Sequence, residues 1–187
     1  MIKPDYNGGV KKTIKGIAIR SLMFLGIFLA VYGLWSGLRF EYHRELGRFG
    51  AELSELRWNL VQNRLAFVGL TKFDPTSPSA IGEKEVLLKN VEESIKAGLE
   101  KTDNIRTRRM IDPILTRKWS ELIRMHREIY SGQRGILENL YKQQTFTDGM
   151  KVLQSEESVK LLTDQTNLIL EYEFWEDRVR EKLSPTH

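Results

Sequence analysis

The chain has 187 residues, 29 of them basic and 25 acidic, and no cysteine. That length holds one domain and a short extra segment, and the missing cysteines exclude disulfides, thiolate metal sites and thiol nucleophiles. The pI near 9.2 suggests nucleic acid only until the charges are located. Lys3, Lys11, Lys12, Lys15 and Arg20 face Asp5 alone at the N-terminus, and beyond Arg20 basic and acidic residues are equal in number. A balanced body attracts the phosphate backbone weakly, so no nucleic acid is expected.

Residues 1–15 read as a basic cytoplasmic tail, with Asn7-Gly8-Gly9 as a flexible leader rather than a phosphate loop, since no strand or Lys-Ser/Thr pair accompanies it. Residues 16–38 read as a transmembrane helix. Ser21 to Leu38 is 18 residues without a charge, about 27 Å of helix against a hydrocarbon core of about 30 Å. Gly16 to Ile19 extend it if Arg20 snorkels to the headgroups. Tyr32 and Trp35 sit where interfacial aromatics belong, and the cations before the span place the N-terminus in the cytoplasm. A cleaved secretory signal is the alternative; no small-x-small site follows Trp35, and the apolar run exceeds a usual signal core. Gly26, Ala30, Gly33 and Gly37 share one face, which lets a second helix approach closely. The partner there is another copy of the chain or another membrane subunit.

Residues 39–187 read as an extracytoplasmic helical body. No proline lies between Gly16 and Lys72, so the span is expected to run on into the first external helix. A stripe at alternating spacings of 3 and 4 follows: Tyr42, Leu46, Phe49, Leu53, Leu56, Leu60, Asn63, Phe67, Leu70. Phe73 to Ser79, with two prolines, breaks it. A weaker second stripe runs Ile81, Leu88, Val91, Ile95, Gly98, Thr102, Ile105. Asp112-Pro113 supplies an N-cap and a proline at the first helical position. The third stripe is Leu115, Trp119, Leu122, His126, Ile129, Gln133, Ile136, Leu140. Thr147-Asp148-Gly149 is read as resetting the chain before a fourth helix over about 150–183, whose apolar face takes Val152, Val159, Leu162 and Ile169 with Leu161, Leu168, Tyr172, Trp175 and Val179 beside it.

The expected fold is all-α: a single N-terminal transmembrane helix continuing into an antiparallel four-helix bundle. Strand patterns are missing, and the prolines at helix-length intervals favour folding back within one chain over a longer coiled coil between chains. Up-and-down order would bring Arg106, Arg108 and Arg109 of the second loop near the bilayer, where each cation gains about 1 kcal/mol against an anionic surface. Capping of helix C-termini is the other account of such clusters. Phe73 and Phe146 fall in the far loops, as a docking point for a partner or as caps on the core.

Chemistry is sparse. A di-iron bundle needs Glu-x-x-His pairs, and the nearest approach, Glu121 and His126, is five positions apart. His43, His126 and His187 make no zinc spacing, and one histidine without Cys-x-x-Cys-His is poor support for haem. No Gly-x-Ser-x-Gly occurs. Glu171, Glu173, Glu176 and Asp177 read as a solvated face. Asn63, His126 and Gln133 fall on core stripes and read as register-fixing polar residues. No catalytic residue, cofactor or metal is expected. The layout resembles the external four-helix bundles of bacterial chemoreceptors and sensor kinases, which return through a second membrane helix to an output domain; neither follows here. The expectation is a non-catalytic accessory subunit of a membrane complex, contacting lipid and other subunits, in a bacterial inner membrane with its body periplasmic; the alternative is a sensory or ligand-binding module that signals through a partner.

Overall fold

The computed structural model describes residues 6–72, 80–105, 112–143 and 145–184, and among them it is all-helical with no strand. The helices are α1 (Tyr6–Thr71), α2 (Ala80–Asn104), α3 (Pro113–Tyr141), α4 (Phe146–Leu153) and α5 (Glu156–Leu183). The chain divides into two compact units, Met1–Arg44 and Glu45–His187.

The first unit is part of α1. Asn7-Gly8-Gly9 are helical, contrary to the leader reading; once a helix exists downstream, each added residue gains a hydrogen bond without a new nucleation cost. From Ile19 this helix is long and apolar enough to cross a membrane, with a mean hydropathy of 1.8 in its most apolar stretch. Every large apolar side chain from Ile19 to Phe40 is more than half exposed.

The second unit is built on the stripes. Leu46, Phe49, Leu53, Leu56, Leu60, Asn63, Phe67 and Leu70 are all buried, as are all eight members of the third stripe, while Tyr42 is half-buried. Spacing of 3 and 4 keeps these residues on one side of a 3.6-residue helix, which is why they meet the neighbouring helices. Ile123, Tyr130 and Leu137 widen the α3 face. Asp112 caps α3 as expected: its Oδ1 accepts from the Ile114 and Leu115 amides at 2.9 and 3.3 Å, two of the donors that a helix start leaves unpaired. Lys182 of α5 donates to the same carboxylate at 3.0 Å. Burial pushes the Asp112 carboxyl up, but the Lys182 bond and the two amides outweigh it and hold the group below the usual carboxylate range.

The fourth-helix expectation needs correction. Thr145, not Thr147, is the N-cap: its hydroxyl accepts from the Asp148 amide at 3.2 Å, so Thr147-Asp148-Gly149 lie inside α4 rather than resetting the chain. A second break falls at Gln154-Ser155, where Ser155 accepts from the Ser158 amide and starts α5. The Thr145 cap thus starts the helical segment earlier than expected, and the Ser155 cap divides what apolar periodicity alone reads as one helix. Val159, placed on the apolar face, is 53% exposed, and Ser158, Gln165 and Glu176 occupy buried positions instead. Glu176, read as part of a solvated face, is 3% exposed.

Candidate functional site

The small-residue face of α1 is open. A Cβ added at Gly26, Gly33 or Gly37 would meet nothing within 4 Å, and Ala30 between them is exposed. Ser36 donates to the Gly33 carbonyl at 3.1 Å, satisfying its hydroxyl within the helix. Phe28, Tyr32 and Trp35 form an aromatic ladder with centroids 6.5 and 6.4 Å apart. The Arg39 guanidinium lies 5.4 Å from the Trp35 ring centroid, within cation–π range. Of the other predicted positions, Arg106, Arg108, Arg109 and Phe73 lie outside the described residues. Phe146 opens α4, and its side chain lies outside the described set.

Inside the second unit the three polar stripe residues do more than fill space. Gln133 Nε2 donates to Gln165 Oε1 at 3.0 Å. Gln165 Nε2 donates to Asn63 Oδ1 at 2.7 Å and to the Leu60 carbonyl at 3.1 Å. Asn63 Nδ2 donates to Ser94 Oγ at 2.9 Å, and Ser94 donates to the Val91 carbonyl. One relay therefore runs α3–α5–α1–α2. Buried amides without partners each cost about 1–3 kcal/mol, so the bonds of this relay favour one register of the four helices, with Gln133 Oε1 the one buried relay atom that lacks a partner. Sequence reading found Asn63 and Gln133; it missed Gln165, because a polar residue on a wide apolar face leaves no periodic mark.

About two turns of α3 away, His126 makes a second polar layer. Its Nδ1 lies 2.6 Å from Thr102 Oγ1 of α2, and its ring centroid is 4.7 Å from that of Tyr130 and 6.4 Å from that of Tyr172. Tyr172 donates to the Leu122 carbonyl at 3.3 Å. Burial pushes both phenols up, and burial draws the imidazole down to about 3. His126 is therefore neutral in the folded chain at ordinary pH, whereas the unfolded ring takes a proton below about 6.5. Stability from this group is complete above about pH 6.5 and falls by about 1.4 kcal/mol per pH unit as pH drops toward the folded value. Melting between pH 6.5 and 5 should show this slope, and His126→Leu should flatten it; an unchanged slope would contradict the burial of a neutral ring.

A third cluster was not legible. Glu176 on α5 lies between two guanidiniums, with Oε2 2.9 Å from Arg57 Nη1 of α1 and Oε1 bonded to Arg180 of its own helix. The Arg57 contact is an ion pair whose angles fall short of a hydrogen bond, and it ties α1 to α5 beside Gly50, where an added Cβ would stand 3.3 Å from Val179 Cγ1.

Among the described residues no three His, Asp or Glu side chains gather to hold a metal. An apolar cavity of about 40 Å³ lies among Leu70, Leu88, Leu140, Met150 and Leu153, with Lys84 at its edge, far below the roughly 300 Å³ of a typical small-molecule site, whereas an open groove of about 1010 Å³ runs between α2 and α3 with Glu92, Glu100, Asp103, Arg134, Glu138 and Tyr141 in its lining. Comparison with protein-family models, with curated proteins and with solved structures finds no match.

Proposed function

We propose that the chain is a membrane-anchored, non-catalytic accessory subunit, which joins a larger membrane assembly through the Gly26, Ala30, Gly33, Gly37 face and carries a helical bundle outside the cytoplasm. The observation that carries this reading is an apolar helix with no buried side chain over residues 19–38 and an open small-residue face. Exposed apolar surface on that scale is stable only against lipid or another protein, and small residues allow the close approach that membrane helices use to associate. The basic residues at the N-terminus favour that end in the cytoplasm and the body in the periplasm of a bacterial cell.

In this reading the Glu45–His187 unit is an antiparallel four-helix bundle of α1, α2, α3 and α5. Cross-helix pairs support it. Glu55 pairs with Lys101 and Asn63 with Ser94; Asp103 pairs with Arg127 and Glu92 with Tyr141; Lys118 pairs with Glu171 and Gln133 with Gln165. In each couple one number rises as the other falls, the signature of neighbours running in opposite directions. The bundle's role is structural in this reading, since polar layers in its core tie the helices together; the open, charged groove between α2 and α3 is the feature that the sensory alternative would use.

The test is purification of the intact chain in mild detergent. A stoichiometric membrane partner, or a second copy, should co-migrate with the wild type and be reduced about tenfold by Gly33→Leu with Gly37→Leu. Because both positions are open, these substitutions leave the fold intact. A single monodisperse species, unchanged by the substitutions, would contradict the proposal.

A further inference from the structure

Within the Glu45–His187 unit, α1 carries a second stripe besides the buried one. Gly47, Ala51, Ser54, Trp58, Val61 and Leu65 recur at spacings of 4, 3, 4, 3 and 4, about 150° round the helix from the core-facing residues. Trp58 and Leu65 are 62% and 58% exposed, Ala51 is exposed, and a Cβ added at Gly47 would meet nothing within 4 Å. The outward positions of the neighbouring helices are charged instead, with Lys89, Glu93, Lys96 and Glu100 on α2 and Arg117, Arg124 and Glu128 on α3. A helix that meets only water on its outer side gains nothing from an uncharged stripe. A large aromatic and a leucine seven residues apart are what a second helix packs against.

We propose that this stripe is the seam at which a second copy of the chain packs, parallel to the first and related to it by a two-fold axis. The parallel direction rests on the membrane-subunit reading above, which sets both N-termini on one side. In the sequence, the alternation that runs Gly26, Ala30, Gly33, Gly37 continues through Phe40 and Arg44 to Gly47 with no change of phase. A second copy brings the same repeat in the same order, on a helix of the same 66 residues. The one charge on that path, Arg44, is paired with Glu41 of its own helix at 2.6 Å. In a parallel two-fold pair each seam position meets its own copy, and each flanking residue meets the one five positions on in the other chain. Gly50 then stands opposite Glu55, Arg57 opposite Gln62 and Arg64 opposite Gly69. No like charges face each other over these heptads, and Glu55 and Arg57 are already paired within each copy by Lys101 and Glu176. The seam is therefore electrostatically compatible with itself.

The experiment is oxidative cross-linking of the intact chain in its membrane, which the absence of native cysteine makes clean. Ala51→Cys and Ser54→Cys, made separately, should each give a disulfide-linked species of twice the chain mass, whereas Glu93→Cys, on the outward side of α2, should stay monomeric. Trp58→Ala should raise the dissociation constant of the detergent-solubilised dimer about thirtyfold, the effect of losing a central aromatic anchor. Because the Trp58 ring is mostly exposed within one chain, the helix content of this variant should match the wild type. A membrane-bound chain in which positions 51 and 54 stay monomeric, or link only to a different protein, would overturn the second copy and leave the accessory-subunit reading standing. Cross-linking as strong at position 93 as at 51 would mark random collision and overturn it too. A soluble chain that still dimerises through Ala51→Cys would do the reverse, removing the membrane reading and keeping the seam.

Discussion

Gly98→Ala should lower the stability of the Glu45–His187 unit by about 3 kcal/mol, or about 10 °C in melting temperature for a unit of this size. A Cβ there would stand 2.6 Å from Tyr130 Cε2 and nearer still to Cζ and Cε1. Tyr130 is fully buried, so its ring cannot swing into solvent. The ring of α3 lies flat against the α2 backbone because that residue is a glycine, and the close approach also keeps Thr102, one turn on, within reach of His126. Gly82→Ala is the control: nothing lies within 4 Å of an added Cβ, and relief of backbone entropy should stabilise by about 0.5–1 kcal/mol. Tyr130→Leu should restore much of what Gly98→Ala loses. Equal melting temperatures for Gly98→Ala and Gly82→Ala would show that Tyr130 does not pack on this backbone.

Gln165→Ala is expected to cost about 3–5 kcal/mol, because it strands Asn63 Oδ1 and Gln133 Nε2 in the core and opens a cavity. Replacing Asn63, Gln133 and Gln165 together with leucine should cost far less or even stabilise, since no buried amide then lacks a partner. The triple variant should lose uniqueness instead, giving broad or doubled amide resonances and a less cooperative melt, as helices free to slide by a heptad adopt more than one register. A single variant as damaging as a cavity alone, with the triple variant sharply folded, would remove the register role.

The α1 and α3 stripes were legible in the sequence because long uninterrupted helices with a narrow apolar face repeat the 3-and-4 spacing many times. Even their polar members, Asn63, His126 and Gln133, could be placed in the core by phase alone. α5 was legible only in outline. Its apolar residues cover so wide an arc that Gln165 and Glu176 could not be told from surface residues, and Val159 could not be told from a core one. What decides these positions lies on other helices: Asn63 and Gln133 draw Gln165 inward, and Arg57 lets the Glu176 carboxylate be buried. The starts of α4 and α5 were present in the sequence as a threonine and a serine cap, Thr145 and Ser155, but the polar cluster Thr147-Asp148-Gly149 outweighed them. Gly98 stood on the second stripe, and only the fold reveals which ring needs its missing side chain. The spacing of Gly26, Ala30, Gly33 and Gly37 on one face of α1 was legible from helix geometry alone, and these positions are exposed.

The absence of native cysteine gives a clean background for mapping the chain across a membrane. Single cysteines at Thr13 and at Gly82 would be challenged with a membrane-impermeant thiol reagent in intact cells, on protein that resists alkaline extraction. The expected result is full-length chain, labelled at Gly82→Cys and protected at Thr13→Cys until the membrane is permeabilised. Labelling at the Thr13 position in intact cells, or recovery of a soluble product shortened past Trp35, would contradict it.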